Sequence, residues 1–166
     1  MKFSLIAVAL AAMATAAPTA KRAVFTDKTF AELSISGGTA GNAEAEALEK
    51  LGGLPTDLTT VEQADLDFLD SVNGLANDAE KEAFNTAIEA ASGEEADALQ
   101  RGKIKNKVLK LTATMMKLQI QAAQGEDVAA KMETESKKLQ NNISQDEAAA
   151  GQPSTDVDFN GSTATA

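Results

Sequence analysis

Residues 104–122 read IKNKVLKLTATMMKLQIQA, and Ile104, Val108, Leu111, Met115, Leu118 and Ala122 step through them by 4, 3, 4, 3 and 4. A helix with that spacing returns the same apolar edge to a neighbour, as in a coiled-coil seam. The register continues past Gly125 through Ala129, Met132, Ser136, Leu139 and Ile143. Either one long helix runs from 95 to 142, or Gly125-Glu126-Asp127 is a turn and the chain doubles back. The break is the expectation, because Asp127 is placed to cap a returning helix.

The same segment carries a second apolar stripe, Leu109, Met116, Ile120 and Ala123, more than a quarter turn from the seam. A helix apolar on two sides is usually buried between neighbours; the alternative is an exposed stripe that docks a partner, a lipid or a hydrophobic surface. Residues 101–117 hold 6 bases and no acid, whereas residues 23–100 hold 17 acids and 3 bases. On a helical wheel Lys103, Lys107, Lys110 and Lys117 gather on one side. Pairing with the acidic helices or simple solvation accounts for such a run. The functional alternative is a patch for an acidic polysaccharide, a phospholipid headgroup or a host protein. Leu109, Met116, Ile120, Lys103, Lys110 and Lys117 are therefore the candidate interaction surface.

Upstream, Ala-Glu-Ala-Glu-Ala-Leu-Glu-Lys after Asn42 predicts a short helix that Gly52-Gly53 and Pro55 stop. Three pairs, Thr59 with Glu62, Asn77 with Glu80 and Ser92 with Glu95, have the spacing of reciprocal caps. They predict helices near 60–74, 78–91 and 94–124, with Asn73-Gly74 and Gly93 as terminators. Val61, Phe68, Val72 and Leu75 fall on one face of the first of these, and Phe84, Ala87, Ile88 and Ala91 on one face of the next. The fold class is all-α: a small bundle of four to five helices with one long C-terminal helix or a helical hairpin.

Two details invite chemistry. Ser36-Gly-Gly-Thr-Ala-Gly41 leads into a helix as phosphate loops do, yet no Gly-Lys-Ser/Thr follows, so a plain turn capping the first helix is expected. Asp65 stands among Val61, Phe68, Leu69 and Val72 on an apolar face. A buried carboxylate of this kind can act as a general acid; a boundary position paired with Lys or Arg is the expectation.

The ends set the compartment. Lys2, the apolar run Phe3–Ala12 and Ala14-Thr15-Ala16 form a secretory signal pattern over residues 1–17, too short to span a bilayer. Residues 18–22 end in Lys21-Arg22, a dibasic site of the kind secretory-pathway proteases cut. The helical domain is then 23–148, and the aperiodic, polar stretch 149–166 reads as a disordered tail without a glycolipid-anchor signal. Asn142-Ile-Ser and Asn160-Gly-Ser are sequons, making Asn142 and Asn160 candidate glycosylation sites.

Composition narrows the function. Without residues 1–22 the chain keeps 12 Lys+Arg and 25 Asp+Glu, a net charge of −13, which disfavours nucleic acid. With no His and no Cys there is no Ser-His dyad, thiol nucleophile or ordinary zinc site. No catalytic residue, cofactor or metal is assigned, and no transmembrane anchor is expected.

The blocks Leu33-Ser-Ile-Ser-Gly-Gly-Thr-Ala-Gly-Asn-Ala-Glu-Ala-Glu46, Gly102-Lys-Ile-Lys-Asn-Lys-Val-Leu-Lys-Leu111 and Glu147-Ala-Ala-Ala-Gly151 resemble those of a family of small secreted proteins from filamentous ascomycete fungi. The resemblance implies a fungal source and an extracellular destination, and brings no activity or site residues with it. A looser likeness in size, helicity and lack of Cys connects the chain to fungal hydrophobic surface binding proteins. The reading reached is a secreted, non-enzymatic binding protein with an extracellular partner at the fungal cell wall, a colonised surface or a host molecule. The alternatives are a carboxylate-dependent secreted hydrolase, and a bundle holding a lipid along Leu111, Met115 and Leu118. If signal and dibasic cleavage both occur, N-terminal sequencing of the protein from culture fluid should read Ala-Val-Phe from Ala23; a start at Ala17 or Pro18 would exclude the dibasic step.

Overall fold

A computed structural model describes residues 23–164; the signal segment 1–17 and the pair Lys21-Arg22 lie outside the described residues. The fold is an all-α bundle with a small two-stranded sheet. In chain order it has α1 (Phe30–Leu33), β1 (Gly38–Thr39), α2 (Ala43–Lys50), a 3₁₀ turn (Leu58–Thr60), α3 (Gln63–Asp78), a π-helical segment (Ala79–Phe84), α4 (Asn85–Ala90), α5 (Glu94–Ala123), α6 (Ala129–Ala148) and β2 (Pro153–Ser154).

The long helix is the axis. α5 packs against α2, α3, α4, α6 and β2. Its seam residues Val108, Leu111 and Leu118 are buried, Ile104 and Met115 are half-buried, and Ala122 is exposed. On the second stripe Leu109 and Ile120 are 1% and 0% exposed and Met116 is half-buried against the same core. α5 is thus apolar on two sides because it is enclosed on two sides.

The chain does reverse at Gly125, whose φ is +94°. The Gly125 amide donates to the Ala122 carbonyl and the Glu126 amide to that of Gln121, the paired bonds that close a helix around a left-handed glycine. α6 then returns along α5. Asp127 does not cap it; Val128 holds that position with no side-chain bond.

The three expected capping boxes do not form. Asp57 caps the 3₁₀ turn, accepting from the Thr59 amide at 3.1 Å, and α3 begins after Glu62, whose side chain makes no cap bond. Gly93 occupies the position expected of Ser92. Asn77 and Glu80 lie inside a continuous run, since α3 passes Asn73-Gly74 without stopping and becomes the π segment and α4. The energetics explain why. A mid-helix glycine costs about 1 kcal/mol, while continuing the helix buries Leu75, Ala76, Ala79 and Phe84, each large apolar side chain being worth about 1.5–3 kcal/mol. The reciprocal box that does form is Thr29 with Glu32, on α1.

Residues 149–164 are not a disordered tail. β2 pairs antiparallel with β1, Gly38 opposite Ser154 and Thr39 opposite Pro153. The Thr155 amide donates to the Ala98 carbonyl (3.0 Å), the Phe30 amide to that of Gly161 (2.9 Å) and the Thr163 amide to that of Lys28 (2.9 Å). Phe159 meets Phe30 edge to face with ring centroids 5.5 Å apart. The segment lacks periodicity because it crosses the bundle as an extended strap. Its backbone groups are satisfied in turn by β1, by α5, and by the start of α1 and the stretch before it.

Gly102 makes that crossing possible. A Cβ at this position would lie 2.0 Å from the Thr155 carbonyl oxygen and 3.2 Å from the Phe84 ring. In an isolated helix Gly→Ala stabilises by about 1 kcal/mol; here Gly102→Ala should instead destabilise by about 1–3 kcal/mol through overpacking. Denaturant unfolding gives the sign, and amide exchange at Thr155 should rise in parallel.

Candidate functional site

The strap and the π–α4 run form the walls of an open groove of about 710 Å³. Ala83, Ala87 and Ala90 recur at helical spacing on one wall, and Leu99 of α5 contributes to the lining. Asp156, Val157, Asp158, Phe159 and Asn160 make the opposite wall. Small side chains leave the trough open, while the strap is held in place by its bond to Ala98 and by Phe159 on Phe30. Four carboxylates line the groove, Glu82, Glu95, Asp156 and Asp158, with no lysine or arginine among the described lining residues. Each is exposed. Four like charges around an apolar trough create a field that favours a cationic occupant. Thr86 is the hydroxyl in the groove, and it donates to the Glu82 carbonyl at 3.1 Å.

The surface read from α5 is not assembled as an open patch. Leu109 and Ile120 are buried and Met116 is half-buried, so of the stripe Ala123, at its end, is the residue open to solvent. Lys103 donates to Asn85 Oδ1 at 2.7 Å, Lys110 and Lys107 pair with Glu80 at 3.1 and 3.3 Å, and Lys117 pairs with Asp70 at 2.7 Å. The basic edge is therefore matched internally by α3, the π segment and α4. Partial burial pushes the Glu80 carboxyl up, but the hydrogen bond and charge of Lys110, joined by Lys107, outweigh it and hold the group below its ordinary value.

The glycine-rich loop also differs from its expected role. Its Gly37 and Thr39 carbonyls accept from the Lys105 ammonium at 2.9 and 3.0 Å, so the loop turns acceptors inward, the opposite of an anion cradle. It does not cap α2 either. Asn42 makes no side-chain cap bond, and Asp146 of α6 accepts from the Ala43 amide at 2.8 Å.

Asp65 is 1% exposed, as its apolar neighbours imply, but its partners are the backbone amides of Val24 (2.7 Å) and Phe25 (2.9 Å) rather than Lys or Arg. Asn142 is 9% exposed and its Nδ2 donates to the Lys138 carbonyl, which leaves that sequon poorly presented. Asn160 is exposed at the groove. Among the described residues no group of three or more His, Cys, Asp or Glu side chains is placed to hold a metal ion, and no helix is long and apolar enough to cross a membrane.

The groove residues were missed because they come from two segments about 70 positions apart, one read as a core helix and the other as a tail. The signal that was there is the run of small side chains Ala83, Ala87 and Ala90 at helical spacing beside the acidic Glu82.

Bundle, strap and groove together define a small acidic helical protein closed by an extended C-terminal segment. The chain belongs to the family described as Domain of unknown function (DUF8454), which matches residues 25–158. No curated protein and no solved structure matches it.

Because Glu80 titrates below its ordinary value, its pairing stabilises the fold fully above the unfolded carboxyl pKa of about 4.3 and is lost as pH falls through the lower, folded value. Glu80→Gln should therefore lower the thermal midpoint at pH 7, and the gap to the parent should narrow below about pH 4. A gap that widens on acidification would contradict the pairing.

Proposed function

We propose that this is a secreted, non-enzymatic binding protein whose groove receives a cationic, partly apolar peptide segment of an extracellular partner. That partner would be met at the fungal cell wall, on a colonised surface or on a host molecule. The observation that carries the reading is the groove itself, with four carboxylates around an alanine-lined trough. Complementary charge raises the rate and selectivity of encounter, and the apolar trough contributes area to be buried. The lysines of α5 are occupied within the fold, which moves the reading away from the acidic ligands that a basic edge would attract. The apolar stripe of α5 is spent on core packing, which also weakens the likeness to proteins that adsorb through an exposed hydrophobic face.

The alternatives draw less support. The hollow beside Leu111 is bordered by Asn73, Lys107, Lys110, Glu135, Lys138 and Asn142, a setting for polar groups rather than an acyl chain. A carboxylate-dependent hydrolase would use groove acids held in a defined geometry, whereas these four are solvated on a rim.

A fluorescent amphipathic peptide of Lys and Leu, titrated against the protein by anisotropy, tests the proposal. It should bind, and a Glu-and-Leu peptide should not. Asp156→Asn with Asp158→Asn should weaken binding roughly tenfold, equivalent to about 1.4 kcal/mol, and added salt should do the same by screening. Ala87→Trp, which fills the trough, should abolish it with the fold intact by circular dichroism. Equal binding of both peptides, or affinity untouched by all three substitutions, would remove the groove from consideration.

A further inference from the structure

Asp65 presents an imbalance. It lies in the first turn of α3, 1% exposed, and Oδ1 accepts from the Val24 and Phe25 amides. A carboxylate has about four acceptor positions, and a buried one is costly unless a cation or several donors meet it. The positive end of the α3 dipole helps. Among the described residues, however, no lysine or arginine forms an ion pair with Asp65.

Beside it is a cavity of about 380 Å³ lined by Val24, Gly53, Pro55, Val61, Glu62 and Asp65, among other residues. Among the described lining residues the ionisable groups are Glu62 and Asp65, both acidic; from α5, the Gln124 side-chain amide donates to the Val61 carbonyl at 2.9 Å. The chain at its mouth is pinned. Phe25 stacks on Phe68 with centroids 4.6 Å apart, and Val24 packs on Gly53, where an added Cβ would meet Val24 Cγ1 at 3.2 Å. The next nitrogen back along the chain, that of Ala23, is one residue from Val24, at most about 3.6 Å along an extended chain, and the Val24 amide is itself 2.7 Å from the carboxylate.

We infer that Asp65, with Glu62, is the receiving site for an N-terminal ammonium on Ala23, so that cleavage after Arg22 adds the missing cation and completes the fold. The inference rests on the dibasic reading of Lys21-Arg22. In that step a Lys-Arg-directed endoprotease of the secretory pathway adds water across the Arg22–Ala23 peptide bond: the hydroxyl goes to the Arg22 carbonyl carbon, a hydrogen to the Ala23 nitrogen, and that amine takes up a proton at neutral pH. An uncharged amide becomes an ammonium at the edge of a cavity bearing two carboxylates. Processing then acts as a maturation step, tightening the segment before α1 against α3.

The test uses three chains that all contain the described fold: one starting at Ala23 with a free amine, the same chain N-acetylated, and one starting at Lys21. At pH 6 the free-amine chain should melt a few degrees higher than the other two, the shift expected of an ion pair worth about 1 kcal/mol in a domain of this size. An ammonium whose pKa is raised in the folded state contributes fully below its unfolded pKa of about 7.7–8.0 and loses that contribution as pH rises through the folded value. The three midpoints should therefore converge above about pH 10. Asp65→Asn should erase the difference at pH 6, and Glu62→Gln should reduce it. Should Asp65→Asn fail to fold, NMR titration of the α-amine in the parent decides, with a folded pKa above the ordinary α-amino value expected. Equal midpoints at pH 6, or an amine titrating at or below its ordinary value, would overturn the ion pair. Because these chains have defined starts, that result is independent of where the secreted protein begins. A natural N-terminus other than Ala23 would overturn the cleavage step alone.

Discussion

The bundle is organised around one buried cation. Lys105 is 1% exposed in the middle of α5, and its ammonium reaches the Gly37 and Thr39 carbonyls and the Glu46 carboxylate of α2. An ammonium has three protons, and here they find three acceptors. A buried ammonium left without acceptors is strongly unfavourable, so the satisfaction of Lys105 constrains everything that supplies its partners. The glycine-rich loop must turn its carbonyls inward. That places β1 where β2 can pair with it, and brings the start of α2 beneath Asp146, which takes the Ala43 amide.

Along the same helix, neighbouring positions repeat the device with other chemistry. Arg101, 8% exposed, bonds to the Pro153 carbonyl, Gln152 and Glu94, and so ties the strap to α5. Gly102 lets the strap approach, and Asn106 donates to the Ala76 carbonyl at 2.8 Å, three residues before the π segment. The run Gly102–Leu111 is therefore dense in polar contacts made inside the protein. The family match runs from Phe25 to Asp158 and so includes β2 and the first part of the strap with the helices. Since Lys105, β1, β2 and Arg101 form one connected set of bonds, a helical core ending at 148 would leave several of them open.

What the sequence disclosed follows from the range of the interactions involved. The all-α class, the two-sided burial of α5 and the reversal at Gly125 are written in local periodicity and in one glycine, and these were legible. Capping boxes are also local, yet Asn77 failed as a cap because core burial of Leu75, Ala79 and Phe84 carries the helix through it, while Thr59 lies inside the turn that Asp57 caps and Gly93 takes the position expected of Ser92. The strap was invisible for a different reason. Its order comes from single hydrogen bonds to residues 57 and 131 to 135 positions away, such as Thr155 to Ala98 and Phe30 to Gly161, which leave no pattern in composition. Asp65 was correctly placed on an apolar face, but its partners are main-chain amides and carry no side-chain signature.

The charge segregation of the chain takes on a different meaning once the pairing is drawn. Of the six bases between 101 and 117, Arg101 meets Glu94, Lys105 meets Glu46, Lys107 and Lys110 share Glu80, Lys117 meets Asp70, and Lys103 is held by Asn85. Opposite charges that sit far apart in sequence have been brought together in space, and the positive run is consumed in joining α5 to its neighbours. The acids that remain outnumber the bases, and those at the groove have no base among its described lining residues. The field presented to a partner is therefore negative, although the most conspicuous charged run in the sequence is positive. A net charge of one sign keeps copies apart and attracts ligands of the other sign. That is the physical ground on which the proposed cationic ligand rests.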